Sequence, residues 1–342
     1  MMHVGIDCRF ASTKSGLGCY TRELVKALLQ RDDPIRYTLF TRLKDDGWLR
    51  ALPPTTYGLQ PTAYSHYSLA EQLLLPGAIR HAKVDLYFAP HFNIPLLCPV
   101  PFIVTIHDLI LHRFPNHASL FRQFAYRTVM NHAVKRAKHV ITVSKTVADD
   151  LMKMYSLAED AVSIIHEAVN PLFCPQSLEI QKSVREKYFL NKPFFLYVGN
   201  TKQHKNIPLL IEAFTKSDCM GTELVLVIGE GTLPKEVAGV RVLQTIPTDD
   251  LPALYCAARA FITATSYEGF CLPVAEALAC GCPVIATRTG AIMEMIGNRG
   301  MFIEPTVHSL ISAYKNPPFH SHERWNRGWE DVAQQTVKNI SR

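Results

Sequence analysis

The segment Glu268-Gly269-Phe270-Cys271-Leu272-Pro273-Val274-Ala275-Glu276 places two carboxylates around a glycine and a proline. A proline in the first turn marks a helix start, because its missing N–H is one of the donors a helix leaves unused there. The amides of Gly269, Phe270, Cys271 and Leu272 then fall at or just before a helix N-terminus. Free N–H groups and the positive dipole end make such a place an anion site, and a diphosphate suits it. Glu276, one turn into the helix, can accept hydrogen bonds from ribose hydroxyls. Glu268 can reach a sugar on the other side of the phosphates. Taken singly, Glu276 reads as a complement to the helix dipole and Glu268 as a surface charge. The two together, in this context, favour a site.

Other residues share the same position relative to their strands. Lys202 and Lys205 follow the apolar run Phe194–Val198. Cations there would stabilise charge building on a diphosphate leaving group, although solvated loop lysines fit the pattern equally. His107 ends the run Val104-Thr105-Ile106 and can donate to a sugar or to a backbone carbonyl near the reacting carbon; a structural histidine is the competing reading. Gly16 and Gly18 open a helical stretch, and position 21 is Thr where the dinucleotide fingerprint wants a third glycine. NAD is therefore disfavoured. Close approach of backbone to phosphate and a plain turn remain equal readings. No Asp-x-Asp pair occurs to hold a divalent cation, so no metal or other cofactor is expected.

Positioning these residues takes alternating strands and helices. Strands are predicted near His3–Ile6, Tyr37–Phe40, Asp85–Phe88, Phe102–Ile106, His139–Val143 and Val162–Ile165. Helices are predicted at Cys19–Gln30 and Ser119–Ala137, the latter on a ladder of Phe121, Ala125, Val129, Ala133 and Ala137 at spacing four. After a Pro-containing stretch the alternation resumes. Phe194–Val198, Leu224–Ile228, Ala260–Thr263 and Val284–Ala286 are strands; Pro208–Phe214, Leu251–Ala258 and Pro273–Cys280 are helices, the last closed by Gly281. Such alternation means parallel sheets with helices on both faces. Ligands bind beyond the carboxyl ends of such strands, so two doubly wound sheets would face a cleft.

The bulk properties agree. A chain of 342 residues accommodates about two domains of ~150 residues. The expected limits are an N-terminal, acceptor-side domain over 1–170, a linker over 171–191, a donor domain over 192–325 and a final helix over 326–342. Nine cysteines without zinc spacing point to a reducing, cytoplasmic setting. The start lacks a signal-peptide pattern, and no run is long and apolar enough to span a membrane. The net charge of +6 lies wholly between His112 and His139, in Arg113, Arg122, Arg127, Lys135, Arg136 and Lys138. Interleaved with Phe114, Phe121, Phe124 and Tyr126, this stretch reads either as a peripheral contact with an anionic membrane surface or as a solvated helix whose aromatics are core. No nucleic-acid motif accompanies the charge.

From Ser266-Tyr267-Glu268 to Pro283-Val284-Ile285-Ala286, with its Glu-x7-Glu spacing, the chain resembles the retaining nucleotide-sugar glycosyltransferases called glycosyl transferases group 1, or family four. Tyr197-Val198-Gly199-Asn200 through Lys205-Asn206 resembles that family's phosphate loop. Val104-Thr105-Ile106-His107-Asp108-Leu109 resembles its active-site histidine strand, and Asp250–Tyr255 the helix before the donor strand. The resemblance implies a GT-B fold of two Rossmann-like domains and transfer with retention. It implies Glu276 on the donor ribose, Glu268 on the sugar hydroxyls and Lys205 on the diphosphate. It also implies His107 near the anomeric centre, Gly16 against the phosphates, and a last helix crossing back to the first domain.

Asn200 stands where many members carry Arg, which leaves Lys202 to supply the second cation. Cys271 replaces a usual glycine and crowds the backbone. The stretch at Thr245-Ile246 is expected to meet the base. The implied reaction moves a glucose- or mannose-type hexose from a UDP- or GDP-sugar to a saccharide or lipid-linked saccharide. A nucleotide-sugar epimerase and a noncatalytic nucleotide-sugar binding protein are the alternatives.

Overall fold

In a computed structural model, residues 1–13, 15–42, 47–54, 57–115, 118–319 and 324–342 are described. Asn116 and His117 of the basic stretch, and 320–323 of the expected donor domain, lie outside them. The chain divides into two units, Met1–Glu167 with Gly328–Arg342, and Ala168–Arg327.

The first unit runs β1 (Met2–Asp7), α1 (Gly16–Leu29), β2 (Ile35–Thr41), β3 (Gly58–Pro61), α2 (Leu69–His81), β4 (Leu86–Ala89), β5 (Phe102–Ile106), α3 (Ile110–Arg113), α4 (Leu120–Arg136), β6 (His139–Thr142), α5 (Lys145–Tyr155) and β7 (Val162–Ile164). Its seven strands are parallel in the order β3-β2-β1-β4-β5-β6-β7. Strands buried on both faces read as unbroken apolar runs; Phe102–Ile106 is buried at every residue. α12 (Trp329–Ile340) belongs to this unit and packs on α1, with the Trp329 ring edge-on to Tyr20 at 5.6 Å.

The second unit runs α6 (Leu178–Lys187), β8 (Phe194–Gly199), α7 (Ile207–Lys216), β9 (Glu223–Ile228), β10 (Val240–Gln244), α8 (Leu251–Ala257), β11 (Ala260–Thr263), α9 (Leu272–Ala279), β12 (Val284–Thr287), α10 (Gly290–Ile296), β13 (Met301–Ile303) and α11 (Val307–Lys315). Its six parallel strands follow the order β10-β9-β8-β11-β12-β13. The stretch 171–191, expected as a linker, lies in this unit and carries α6, which packs on α8.

The strands absent from the sequence reading, β3, β10 and β13, are one edge of the first sheet and the two edges of the second. Edge strands tolerate Gly, Pro and half-exposed polar residues, so their signal is weak: β3 is Gly-Leu-Gln-Pro and β13 has three residues.

The ladder on α4 needs correction. Its buried face is Tyr126, Met130, Ala133 and Val134, while Phe121 is 79% exposed. At 3.6 residues per turn each step of four drifts by roughly 40°, so a five-rung ladder at that spacing leaves the buried face. Among the described residues, no helix is long and apolar enough to cross a membrane.

Candidate functional site

In the second unit, β8 and β11 are neighbours, and the loops beyond their carboxyl ends are stitched together. The Ser266 amide donates to the His204 carbonyl at 2.8 Å, and Asn206 Nδ2 to the Ala264 carbonyl at 2.8 Å. Asn206 sits in the left-handed region at φ 53 between a short 3-10 turn (203–205) and α7. This stitching brings Lys205 Nζ to 2.5 Å from Glu268 Oε1, with the side chains only 15% and 8% exposed. Two residues read separately from the sequence thus form one part-buried ion pair.

The helix that follows begins at Leu272, one residue before the start expected at Pro273, which makes Pro273 its second residue. Its N-cap is Cys271 at φ 80, whose side chain makes no capping hydrogen bond. That is a glycine-favouring conformation, which costs a residue with a Cβ on the order of 1–3 kcal/mol. The crowding expected of Cys271 therefore takes the form of a strained backbone. Gly269, Phe270 and Cys271 are buried, and Leu272 is half-buried.

Glu276, on α9, accepts a hydrogen bond from the Tyr255 hydroxyl of α8 at 2.8 Å. Burial pushes the Glu276 carboxyl up to about 7, and the Tyr255 bond works in the opposite direction. The ionised form, the stronger acceptor for ribose hydroxyls, then grows as pH rises through that value. Donor affinity is expected to rise with it. In Tyr255→Phe the midpoint of that rise moves to higher pH, measured calorimetrically with a nucleotide sugar; a superimposable profile would remove Glu276 from the donor contacts.

The remaining residues expected on the donor side divide. Asn200 Oδ1 accepts from the Lys202 amide at 3.2 Å, and Lys202 is exposed. The loop that bears them is packed: Thr201 donates to the Glu230 carbonyl at 3.2 Å, and a Cβ on Gly199 would come within 2.7 Å of the Tyr197 hydroxyl. Ile246 is half-buried just past the carboxyl end of β10, an edge strand, after Thr245 at φ 55.

In the first unit, His107 follows β5, and both of its ring nitrogens face acceptors. Nδ1 lies 2.9 Å from Glu167 Oε1 and Nε2 lies 2.9 Å from the Pro90 carbonyl. A carbonyl oxygen can only accept and a carboxylate does the same, so both contacts are hydrogen bonds when the ring carries two N–H groups, and the surroundings favour that protonated form. Burial lowers the His107 pKa, but Glu167 outweighs it through hydrogen bond and charge, helped by Pro90 and Asp108, and the net shift is upward. Tyr20 meets the ring edge-on at 4.5 Å.

The stability from this pair is present below the ordinary histidine pKa and is lost as pH rises through the raised value. Glu167→Gln removes the charge that outweighs burial. The His107 titration, followed by 15N NMR of the ring, is expected to drop below its ordinary midpoint. An unmoved midpoint would show that Glu167 does not set the proton count.

Gly18 has a local structural role. A Cβ there would meet the Thr13 carbonyl at 2.3 Å, and its amide donates to the Ser15 hydroxyl at 3.2 Å. The turn itself needs this glycine, and its N–H is spent on the helix cap. Gly16 stands exposed as the first residue of α1.

The sequence reading missed Glu167, Tyr255 and an ion cluster beyond β1. Arg9, fully buried, holds Asp7 at 2.6 Å and Glu71 at 2.6 Å. Asp7-x-Arg9 at a strand end was the available signal, and nothing local pointed to Glu71.

Comparison with known proteins adds the family context. The model described as Glycosyl transferases group 1 matches residues 180–326, and that described as Glycosyltransferase Family 4 matches 14–171. The chain is 31% identical to the O-antigen chain mannosyltransferase RfbU of Salmonella typhimurium over 271 residues, 76% of this chain and 72% of that one. It is 27% identical to O-antigen chain mannosyltransferase B of Escherichia coli over 272 residues, 75% and 70% of the two chains. Among solved structures it resembles Anabaena Alr3699/HepE in complex with UDP and glucose, with a TM-score of 0.76 at 17% identity and full coverage of both chains. It also resembles WaaG, a glycosyltransferase involved in lipopolysaccharide biosynthesis, with a TM-score of 0.68 at 15% identity, covering 99% and 90%.

Proposed function

From a chain that belongs to the glycosyl transferases group 1 family, with a GT-B fold, we propose a retaining, metal-independent hexosyltransferase that takes a UDP- or GDP-hexose as donor and a saccharide or lipid-linked saccharide as acceptor. Its relatives' names make mannose the first sugar to try.

The observation that carries this reading is the Lys205–Glu268 pair just before the start of α9, whose N-cap Cys271 makes no side-chain capping bond. A diphosphate brought to that helix end draws the ammonium group toward its oxygens. Glu268 is then released to accept sugar hydroxyls, and Glu276 accepts from the ribose. The bond from C1 to the diphosphate oxygen loosens first, leaving an oxocarbenium-like sugar. Negative charge grows on the diphosphate, where Lys205, Lys202 and the helix-end amides stabilise it. The acceptor oxygen bonds to C1 on the face the diphosphate leaves, and its proton passes to the departing phosphate oxygen. Configuration is retained. Within the first unit, His107, hydrogen-bonded to Glu167, is the proposed sugar contact.

The test incubates the protein with GDP-mannose and UDP-glucose, with and without saccharide acceptors, and analyses every product. Free nucleotide diphosphate with a new α-linkage is the expected result. A changed sugar on an intact nucleotide, with no acceptor present, would identify an epimerase. Tight nucleotide binding without turnover would identify a noncatalytic protein.

Peripheral attachment to an anionic membrane belongs to the same proposal. Leu120, Phe121 and Phe124 at the start of α4 are 83%, 79% and 71% exposed. The cations Arg122 and Arg127 lie on the same helix, and Tyr126 alone of the four interleaved aromatics is fully core. Exposed apolar side chains amid basic ones suit an anionic interface. Co-sedimentation with phosphatidylglycerol vesicles is expected to fall with salt and to vanish with phosphatidylcholine; indifference to both removes the membrane.

A further inference from the structure

Where α8 meets the end of α9, two thiols lie together that the donor chemistry does not use. Cys256, on α8, donates to the Cys280 carbonyl at 3.4 Å, and its sulfur accepts from the Gln176 amide at 3.3 Å. The two thiols are also hydrogen-bonded to one another. Cys256 is half-buried and reachable from solvent, whereas Cys280 is buried.

The thiolate, rather than the thiol, attacks a disulfide. The hydrogen bond from Cys280 lowers the Cys256 pKa to about 7, against the effect of burial and with help from the Gln176 amide and the Arg324 charge. Burial pushes Cys98 the other way, to about 11, and raises Cys271 and Cys282 as well. Cys280 is raised because its proton is held against Cys256, and burial adds to this. The pair is asymmetric: one accessible sulfur that ionises near neutral pH, and one buried partner that keeps its proton.

The same seam carries Tyr255 and Glu276. Cys256 follows Tyr255 in the chain, and the Cys280 amide donates to the Glu276 carbonyl one helical turn back at 3.0 Å. The Tyr255 hydroxyl reaches Glu276 across the two helices at 2.8 Å.

We propose that Cys256 and Cys280 are a redox-sensitive pair, oxidised by a low-molecular-weight disulfide to a crosslink between α8 and α9 that weakens donor binding at Glu276. With oxidised glutathione as co-reactant, the Cys256 thiolate attacks one sulfur, the S–S bond breaks, and a glutathione thiolate leaves and takes a proton from solvent. Cys256, now in a mixed disulfide, no longer holds the Cys280 proton by charge or hydrogen bond. Cys280 gives that proton to solvent, its sulfur attacks Cys256, and the second glutathione leaves. Two protein thiols are oxidised and one external disulfide is reduced to two thiols. A covalent bond in place of a hydrogen bond draws the ends of the helices together and displaces the Tyr255–Glu276 contact. This consequence rests on reading Glu276 as a donor contact; the thiol pair does not.

The test incubates the full chain with oxidised glutathione at mildly alkaline pH, alkylates the remaining thiols and maps linked peptides by mass spectrometry. Calorimetry with UDP-glucose and GDP-mannose follows on the reduced, oxidised and re-reduced protein. The expected result is a Cys256–Cys280 link and a donor affinity lower by about tenfold, the scale of a hydrogen-bonded carboxylate losing its place, with recovery in dithiothreitol. Cys256→Ser is expected to show neither change, and Cys280→Ser to stop at a glutathione adduct on Cys256. Cys256→Ala gives a second reading should Cys256→Ser fold poorly. No link, a link from Cys256 to Cys174 instead, an unaltered affinity in the linked protein, or an oxidative loss of affinity that persists in Cys256→Ser each overturns the proposal. A mapped Cys256–Cys280 link in a protein that binds neither nucleotide sugar when reduced leaves the thiol pair standing and refutes the donor reading instead.

Discussion

Lys205→Ala is expected to lower turnover by about a hundredfold, the usual cost of removing one charge donor, ~3 kcal/mol, from a developing oxyanion. The geometry sharpens that expectation. Lys205 is only 15% exposed, and its ammonium group lies 2.5 Å from Glu268, so its charge acts where water screens it poorly. Truncation also leaves Glu268, 7% exposed, without this cation. Donor binding suffers as well as chemistry.

The control is Lys202→Ala. Lys202 is exposed on the same loop, and its loss is expected to cost much less. The double variant Lys205→Ala/Glu268→Gln separates the two effects: it recovers folding stability without recovering kcat. Steady-state kinetics and thermal melting decide the matter. A near-normal kcat in Lys205→Ala would remove the lysine from leaving-group stabilisation and take the central step of the mechanism with it.

The second large effect concerns folding. Arg9→Met strands Asp7 and Glu71, 4% and 1% exposed, as two buried carboxylates without their cation. Breaking a buried ion pair from one side typically costs ~3–5 kcal/mol. At ~2–4 °C per kcal/mol, the melting temperature of the first unit is expected to drop by roughly 10 °C.

The pH dependence follows from Asp7. Burial alone would raise its pKa, but the charge and hydrogen bonds of Arg9 outweigh it and hold the carboxyl below its usual range. Stability from that pair is therefore present above the ordinary carboxylate pKa and is lost as pH falls through the lowered one. The variant lacks this term, so its deficit against the parent shrinks in acid. Arg9→Met/Asp7→Asn/Glu71→Gln is expected to recover much of the loss, because neutral residues of similar shape leave no buried charge. Differential scanning calorimetry across pH checks each point. An unchanged melting temperature in Arg9→Met would show that the cluster contributes nothing to the fold.

Particular residues show how far sequence reasoning reached. Phe102–Ile106 and Ala260–Thr263 were legible as strands to the residue, because strands buried on both faces are continuous apolar runs. The end of α9 was legible because Gly281, at φ 74, can close a helix where other residues strain. Glu268, Lys205, Glu276 and His107 were legible as candidates by their place after such strands. Their partners were not. Glu167 is 60 residues from His107, and Tyr255 is 21 from Glu276. The helix at 120–136 was found, but its buried face was misjudged, since only packing shows which side meets the sheet.

What this sequence determined by itself is the order of its elements, the doubly wound parallel class and the residues that chemistry could recruit. Those signals are local: apolar period, helix caps, and residue types at strand ends. Tertiary structure alone decided which of those residues are charged and against what. It raised the His107 pKa through Glu167, turned Lys205 and Glu268 into one pair, and raised Glu276 toward neutrality. The physical reason is that a proton's free energy depends on burial and on charges a few ångströms away, and chain folding sets both by bringing distant segments together.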